Sequence, residues 1–133
     1  MIEGIYSKRV MELFQHPKNM GGMKNPDGVG IVGNPACGDV MKIYIKIGKN
    51  KKNEEIIKDI KVETFGCVAA VSSSSILTEM VKSKTLKHAL NVKKDQVIKK
   101  LGGLPHIKYH CSVLAVDALR NSIEDYMKNK RKR

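Results

Sequence analysis

Three cysteines, one aspartate and one histidine are the residues of this 133-residue chain whose types and positions suit metal or thiol chemistry. Asp39 lies two positions after Cys37, His110 directly precedes Cys111, and Cys67 lies between these two pairs. Thiolates are soft metal ligands, imidazole is a borderline ligand and carboxylate is a hard one. If the fold brings the five side chains together, they form a site that binds a soft metal.

The spacing of the cysteines leaves two interpretations open. The intervals of 30 residues (67 − 37) and 44 residues (111 − 67) match no local zinc-finger or ferredoxin ligand run, and the chain has no CxxC motif. Free cysteine is also among the residue types most often buried without any function. Spacing alone therefore allows either a shared site or three inert core thiols.

The local context of each cysteine favours the thiolate form. Cys37 lies in the turn NPACGDV before a predicted strand, Cys67 lies where a predicted strand ends and a helix begins, and Cys111 begins the last predicted helix. The N-terminus of a helix carries a partial positive charge and unpaired N–H groups, which stabilise a thiolate. These positions therefore suit reactive or metal-binding cysteines.

Alternating apolar residues predict a small antiparallel sheet. In VMKIYIKIG (40–48) four apolar residues share one face, namely Met41, Ile43, Ile45 and Ile47. The run IIKDIKVETFG (56–66) predicts a second strand with Ile56, Ile60 and Val62 on its apolar face, and GIVGN (30–34) predicts an edge strand. Short connections join the three predicted strands, as in an antiparallel meander.

Helical periodicity covers most of the remaining chain. The first helix is predicted from Tyr6, Val10, Leu13 and Phe14, and Pro17 ends it. Further helices are predicted in 68–84, around 85–90, in 93–101 and in a final segment with the stripe Val116, Leu119, Ile123 and Tyr126. The pattern predicts an α+β fold, with a three-stranded antiparallel sheet and about five helices, as a single domain over residues 1–133 whose basic tail (128–133) is frayed.

Charge and composition narrow the classes of function. The net charge of +12 is concentrated in the terminal KNKRKR and in KNKK at 49–52, and the chain has two Phe, four Tyr and no Trp for stacking on bases, so nucleic-acid binding is not expected. No apolar run is long enough to cross a membrane. The odd number of cysteines predicts reduced thiols in a cytoplasm, or in a mitochondrial matrix if the source is eukaryotic.

Four segments, in order along almost the whole chain, carry a family resemblance: YSKRVMELFQHPKNMG, GNPACGDVMKIYIKI, TFGCVAAVSSSSILTEMVKSKTL and LGGLPHIKYHCSVLAVDAL. Together they resemble the IscU/NifU N-terminal family of iron–sulfur cluster assembly scaffolds. The resemblance implies a small antiparallel sheet flanked by helices. It also implies that Cys37, Cys67 and Cys111 bind a [2Fe–2S] cluster and accept sulfur, that Asp39 favours cluster release, and that His110 is a candidate fourth ligand.

The resemblance also implies partners. A family scaffold receives sulfur from a cysteine desulfurase and iron and electrons from an iron donor or ferredoxin, and passes the cluster to apo iron–sulfur proteins. The segment LPHIK, which comprises Leu104, Pro105, His106, Ile107 and Lys108, is similar to the family motif LPPVK recognised by an Hsp70-type chaperone with its J-protein co-chaperone. Here His106 replaces the second proline and Ile107 the valine. A scaffold turns over no substrate, so the chain is not expected to be an enzyme.

Two alternative functions use the same residues. A zinc-bound sulfur-acceptor protein of the same fold would hold zinc with the three cysteines and either Asp39 or His110. In the family that the chain resembles, zinc-dependent members typically carry an insertion between the second and third motifs and lack a histidine before the last cysteine. By that resemblance, His110 and the compact segments between motifs favour the scaffold, although zinc is expected to be able to occupy the purified apo form. A Cys–His hydrolase is disfavoured, because adjacent residues at a helix start point in different directions and no oxyanion-hole motif accompanies them.

Overall fold

The sheet predicted from the alternating segments is present and antiparallel, in the order β1-β2-β3. The computed structural model describes residues 6–34 and 39–131, without the side chains of residues 34, 39 and 131. The elements in chain order are α1 (Lys8–Gln15), β1 (Gly28–Asn34), β2 (Asp39–Lys49), β3 (Glu55–Phe65), α2 (Val68–Val81), α3 (Leu86–Leu90), α4 (Lys94–Lys100) and α5 (Tyr109–Arg131). Within the described residues this is an α+β fold with three strands and five helices, so the predicted fold class is confirmed.

One face of the sheet forms the floor of the hydrophobic core. Its fully buried residues come from β2 and β3: Met41, Ile43, Ile45, Ile57, Ile60 and Val62. The sequence prediction placed Ile56 on this face, and this is wrong. A register shift between Lys46 and Ile47 changes the phase of the pairing, so that Ile57 is buried while Ile56 is half-buried.

Helix α5 lies almost directly on the backbone of β1. A Cβ atom added to Gly28 would lie 2.2 Å from the carbonyl oxygen of Ser122, and one added to Gly30 would lie 2.2 Å from that of Ala118. The carboxylate of Asp125 also accepts a hydrogen bond of 2.9 Å from the backbone N–H of Val29. The two glycines therefore set how closely the last helix approaches the sheet.

Helix α2 is buried on nearly every side, although it carries a run of hydroxyl residues. The side chains of Ser72, Ser73, Ser74, Ser75 and Thr78 are fully buried. Ser72 donates a 2.7 Å hydrogen bond to the carbonyl of Val10, Ser75 accepts one of 2.6 Å from the N–H of Lys18, and Ser73 pairs with Ser112 of α5 at 3.1 Å. These bonds attach α2 to α1, to the loop that follows α1 and to α5.

The first and last helices differ in detail from the sequence prediction. In α1, Val10 and Leu13 are buried as predicted, but Phe14 is 41% exposed and does not belong to the core. Helix α5 continues to Arg131, past residue 128 where fraying was predicted to begin, and Lys130 donates a 2.9 Å hydrogen bond to Glu55. Tyr126 donates to the same carboxylate, and the hydrogen bonds from Tyr126 and Lys130 lower the pKa of Glu55. Among the residues described, no helix is long and apolar enough to span a bilayer.

The close contact between α5 and β1 generates a stability prediction. Gly30→Ala should destabilise the fold by about 1–3 kcal/mol or more, because the new methyl group overlaps the backbone of Ala118 and Ser122. Gly22→Ala is the matched control, since the nearest atom to its added Cβ would be 3.8 Å away on Glu63. Urea unfolding followed by circular dichroism measures both variants. Equal urea midpoints for the two variants would show that the contact tolerates a side chain.

Candidate metal centre

The structure brings two of the three predicted cysteines together. Cys67 is the N-cap residue of α2 and Cys111 lies in the first turn of α5, and their Sγ atoms are 3.6 Å apart. Cys111 is fully buried and Cys67 is half-buried. Two thiolates at about 2.3 Å from one tetrahedral metal ion lie about 3.8 Å apart, so this pair is already close to the separation that a shared metal requires.

His110 lies beside the thiol pair. Its Nε2 atom is 3.6 Å from Sγ of Cys111, and its Nδ1 atom is 3.0 Å from the carbonyl oxygen of Ile107. A carbonyl can only accept, so Nδ1 carries the proton in this contact and Nε2 is the basic nitrogen. A backbone hydrogen bond of this kind is the usual way in which a ligand histidine is oriented toward a metal.

The environment of Cys67 favours its thiolate. The hydrogen bond with Cys111 is the main reason why the pKa of Cys67 is lowered to about 5, while burial acts in the opposite direction. The backbone N–H groups of Ala70 and Ala69 and the ammonium group of Lys108 lower this pKa further, although neither amide completes a regular capping hydrogen bond. Cys67 is therefore a thiolate at neutral pH, which is the form that binds metals and attacks sulfur.

Two residues that the sequence did not assign to the site surround the thiols. The negative charge of the Cys67 thiolate raises the pKa of Lys108, which stays positively charged beside it. Burial, and then the same thiolate, raise the pKa of Tyr6. The sequence interpretation placed Lys108 in the chaperone motif and Tyr6 in a helix stripe. The sequence position of Lys108 could have indicated its place at the site, because it lies three residues before Cys111 and a helical turn brings such residues together.

Cys37 and the side chain of Asp39 lie outside the described residues. The backbone nevertheless shows where Asp39 begins β2: it pairs with Asn34 at the end of β1, and the next residue, Val40, pairs with Phe65 of β3. Phe65 is two residues before Cys67. The end of β1 and the start of β2 therefore lie at the same end of the sheet as Cys67. Among residues 6–34 and 39–131, no three Cys, His, Asp or Glu side chains converge on one metal position.

The segment that resembles a chaperone motif forms the entry to α5. His106–Lys108 form a 3-10 turn, closed by a 2.8 Å hydrogen bond from the N–H of Lys108 to the carbonyl of Pro105. The ring of His106 packs against that of Tyr109, with a centroid distance of 4.7 Å, and Ile107 is 79% exposed. An apolar side chain is thus presented to solvent one helical turn before the thiol pair.

The hydrogen bond between the thiols generates a prediction about reactivity. In the reduced, metal-free protein, alkylation of Cys67 by iodoacetamide should reach half its maximal rate near pH 5, because the thiolate persists down to its lowered pKa. Cys111→Ala removes the main cause of the lowered pKa, so the midpoint should rise toward the value of about 8.5 for an ordinary thiol. Peptide mass spectrometry over a pH series measures the rate.

Lys108→Met should raise the same midpoint by a smaller amount, because Lys108 is a lesser cause of the lowered pKa. The exposed residue Lys87, in α3, provides the matched control Lys87→Met, which should leave the profile unchanged. A profile of Cys67 that is the same with and without Cys111 would contradict the assignment.

Comparison with known proteins places the chain in a family. Residues 5–133 match the model of the NifU-like N terminal domain. Two iron–sulfur cluster assembly scaffold proteins IscU of Archaeoglobus fulgidus are each 52% identical over 124 residues, which cover 93% of this chain and 78% of theirs. The iron sulfur cluster assembly protein 1 of Encephalitozoon cuniculi is 46% identical over 97% of this chain and 91% of its own.

The fold comparison agrees with the sequence comparison. The crystal structure of a nitrogen-fixing NifU-like protein (N-terminal) from Brucella abortus superposes with a TM-score of 0.72 over 96% of this chain and 97% of that one, at 23% sequence identity. The four sequence motifs, the three-stranded fold and the paired thiols at two helix starts therefore have one explanation: this chain belongs to the NifU-like N-terminal domain family.

Proposed function

We propose that this protein is a scaffold on which iron–sulfur clusters are assembled from desulfurase-derived sulfur and from iron, and are then transferred to apo-proteins. The observation that carries the proposal is the pair of thiols of Cys67 and Cys111, 3.6 Å apart at two helix starts, one of them a thiolate at neutral pH. Relatives that are 52% identical carry the name of iron–sulfur cluster assembly scaffolds, which supports the proposal.

The two thiols suit different steps of assembly. Cys67 is the more accessible of the two, and as a thiolate it can attack the outer sulfur of a persulfide on a desulfurase cysteine. That step forms the S–S bond of a Cys67 persulfide, breaks the S–S bond of the donor and returns the donor cysteine as a thiolate. Lys108 stabilises the negative charge on Cys67 before the attack. Reduction of the persulfide to sulfide requires electrons from a ferredoxin-type donor.

The ligand set in the proposal is Cys37, Cys67 and Cys111, completed by Asp39 or His110, and the cargo is a [2Fe–2S] cluster. Iron–sulfur proteins that keep their clusters usually offer four thiolates, so three thiolates and a harder or borderline donor hold the cluster less tightly. The ligands also come from three separate segments, so binding of the cluster stabilises their convergence, and separation of the segments releases it. Both features suit transfer more than storage.

Within the proposal the protein turns over no substrate and acts in a reducing intracellular compartment, the cytoplasm being the first choice, because its thiols have to stay reduced. Its partners are a cysteine desulfurase, an iron or electron donor and apo iron–sulfur proteins. The second candidate is a zinc-bound sulfur acceptor of the same fold. The sulfur separation of 3.6 Å favours zinc as much as iron, so the two candidates have to be separated by experiment.

Anaerobic reconstitution tests the scaffold proposal. Incubation of the reduced protein with iron, cysteine and a cysteine desulfurase should give the visible charge-transfer absorption of a [2Fe–2S] cluster, and Cys67→Ser and Cys111→Ser should each abolish it, because each removes a thiolate ligand. His110→Ala should weaken cluster retention if the imidazole is the fourth ligand. His16→Ala, which alters an exposed histidine at the end of α1, is the matched control.

Asp39→Ala tests whether the carboxylate of Asp39 favours release of the cluster. If the carboxylate favours release, this variant should retain its cluster longer than the native chain when apo-ferredoxin is added.

The reconstitution also separates the scaffold from the zinc-bound sulfur acceptor. A native protein that stays colourless after reconstitution, yet accepts persulfide sulfur and contains one zinc ion, would refute the scaffold and support the sulfur acceptor.

The exposed turn before α5 supports a chaperone site in Leu104, Pro105, His106, Ile107 and Lys108. Ile107→Lys should weaken binding of an Hsp70-type chaperone by about tenfold or more, since burial of an isoleucine side chain contributes about 1.5–3 kcal/mol. Phe14→Lys, at another exposed apolar position, is the matched control. Fluorescence anisotropy of the labelled scaffold measures affinity. Equal binding by the native chain and both variants would remove the motif from the proposal.

A further inference from the structure

We propose that a basic cleft on the helical side of the molecule docks an acidic, amphipathic segment of a partner protein. The cleft has a volume of about 1030 Å³ and lies between α1, the second half of α2, and α3 with α4. This volume is at the upper end of the range for small-molecule pockets, and the cleft is open along one side. These dimensions suit a polypeptide segment more than an enclosed small ligand.

The rim of the cleft is strongly positive. Arg9 of α1, Lys84 of the α2–α3 connection, and Lys99 and Lys100 of α4 contribute four cations, whereas Glu79 is the one carboxylate among the described lining residues. The sum of four positive charges and one negative charge is +3. All four side chains lie at the surface. Arg9 forms an exposed ion pair of 3.7 Å with Glu12, so the charges available to a partner are chiefly those of the three lysines. A concave surface of one sign raises the rate at which an oppositely charged partner associates.

The floor of the cleft is apolar. It is lined by Ile76 and Val92, which are 5% and 3% exposed, and by Met80, which is half-buried. An amphipathic segment can place its apolar face against this floor while its carboxylates meet the cations of the rim. The one aromatic ring among the described residues of the lining is the imidazole of His88, so the cleft offers little stacking surface for bases, and a protein segment fits better than a nucleic acid.

The rim cations are carried on fixed backbone. The N–H of Ile57 in β3 donates a 2.9 Å hydrogen bond to the carbonyl of Lys84, and the N–H of Ser83 donates one of 2.7 Å to the carbonyl of Ile57. Ser7, the N-cap of α1, donates to the carbonyl of Leu101 and so attaches the α1 cation to the end of α4. Preorganised charges lose less conformational entropy when a partner binds.

The basic cleft is separate from the thiol pair. Ile76 lies nine positions after Cys67 on α2, which is about 14 Å along a helix. A partner bound in the cleft therefore does not cover the half-buried Cys67, and it can hold a donor or acceptor protein near the site during assembly and transfer. The inference goes beyond the scaffold function and does not depend on it, because docking requires neither metal nor sulfur.

The test uses the full-length, reduced and metal-free protein, so its result is independent of cluster assembly. The probe is a synthetic peptide of about four helical turns, with leucines along one face and glutamates on the other, titrated by calorimetry and by NMR of ¹⁵N-labelled protein. The amide signals of α2 from Ile76 to Met80 and of α4 should shift, and affinity should fall as salt rises from about 0.05 to 0.3 M. Peptides with Gln in place of Glu, or Gln in place of Leu, should bind more weakly.

Charge reversal locates the binding energy. The double variant Lys99→Glu/Lys100→Glu should weaken binding of the acidic peptide by at least about tenfold, because it replaces two attractive charges at the rim by two repulsive ones. Lys51→Glu/Lys52→Glu, in the β2–β3 turn, is the matched control, because it lowers the net charge of +12 by the same amount.

Four outcomes would overturn the proposal. They are dissociation constants above about 1 mM for the native chain, equal effects of the two double variants, shifted amides confined to the surroundings of Cys67 and Cys111, and tighter binding of an oligothymidine at the cleft amides. The last outcome would make the cleft a nucleic-acid site.

Discussion

The contact between the N-terminal ends of α2 and α5 is the interaction on which the candidate site depends. It places Sγ of Cys67 3.6 Å from that of Cys111, and it is held by the fully buried hydrogen bond between Ser73 of α2 and Ser112, the residue after Cys111 in α5. A buried hydroxyl that loses its partner costs about 1–3 kcal/mol. Separation of the helices is therefore opposed by the serine pair and by the hydrogen bond between the two thiols. A metal or cluster that binds both thiols would add a stronger link between the two helix ends.

The buried hydroxyl run of α2 explains how this helix is held in one orientation beside α5. An entirely apolar helix would pack by shape alone, whereas Ser72 bonds to α1, Ser73 to α5 and Ser75 to the loop after α1, and these bonds specify a single orientation. The same bonds make the packing cooperative, because withdrawal of α5 leaves Ser73 without a partner. In this arrangement local opening of the α5 start moves His110 and Cys111 together, and thus removes two donors in one event.

Much of this architecture could be predicted from the sequence, and the exceptions have physical reasons. The alternation in β2 gave its buried face correctly, because each strand residue simply alternates between the two sides of the sheet. In β3 it misplaced Ile56, because the register shift at Lys46 and Ile47 depends on pairing with another strand. Phe14 fits the helical stripe of α1, but whether the last turn of a helix reaches the core is set by tertiary packing. The contact between Cys67 and Cys111 could be predicted, because both residues lie at helix starts. The basic cleft could not, because it combines residues from four separate segments that no local pattern connects.

The distribution of charge separates the two functional surfaces of the molecule. At the thiol pair the ammonium group of Lys108 lies beside the Cys67 thiolate whose pKa it helps to lower, so these two charges largely compensate each other. At the cleft four cations surround one carboxylate, and the excess has no counterpart among the described lining residues. An approaching acidic protein is therefore attracted to the helical side, more than a Debye length from the sulfurs at physiological ionic strength. Attraction and sulfur chemistry thus occur on different surfaces, so a carboxylate-rich partner can be held close without competing with the thiolates for iron.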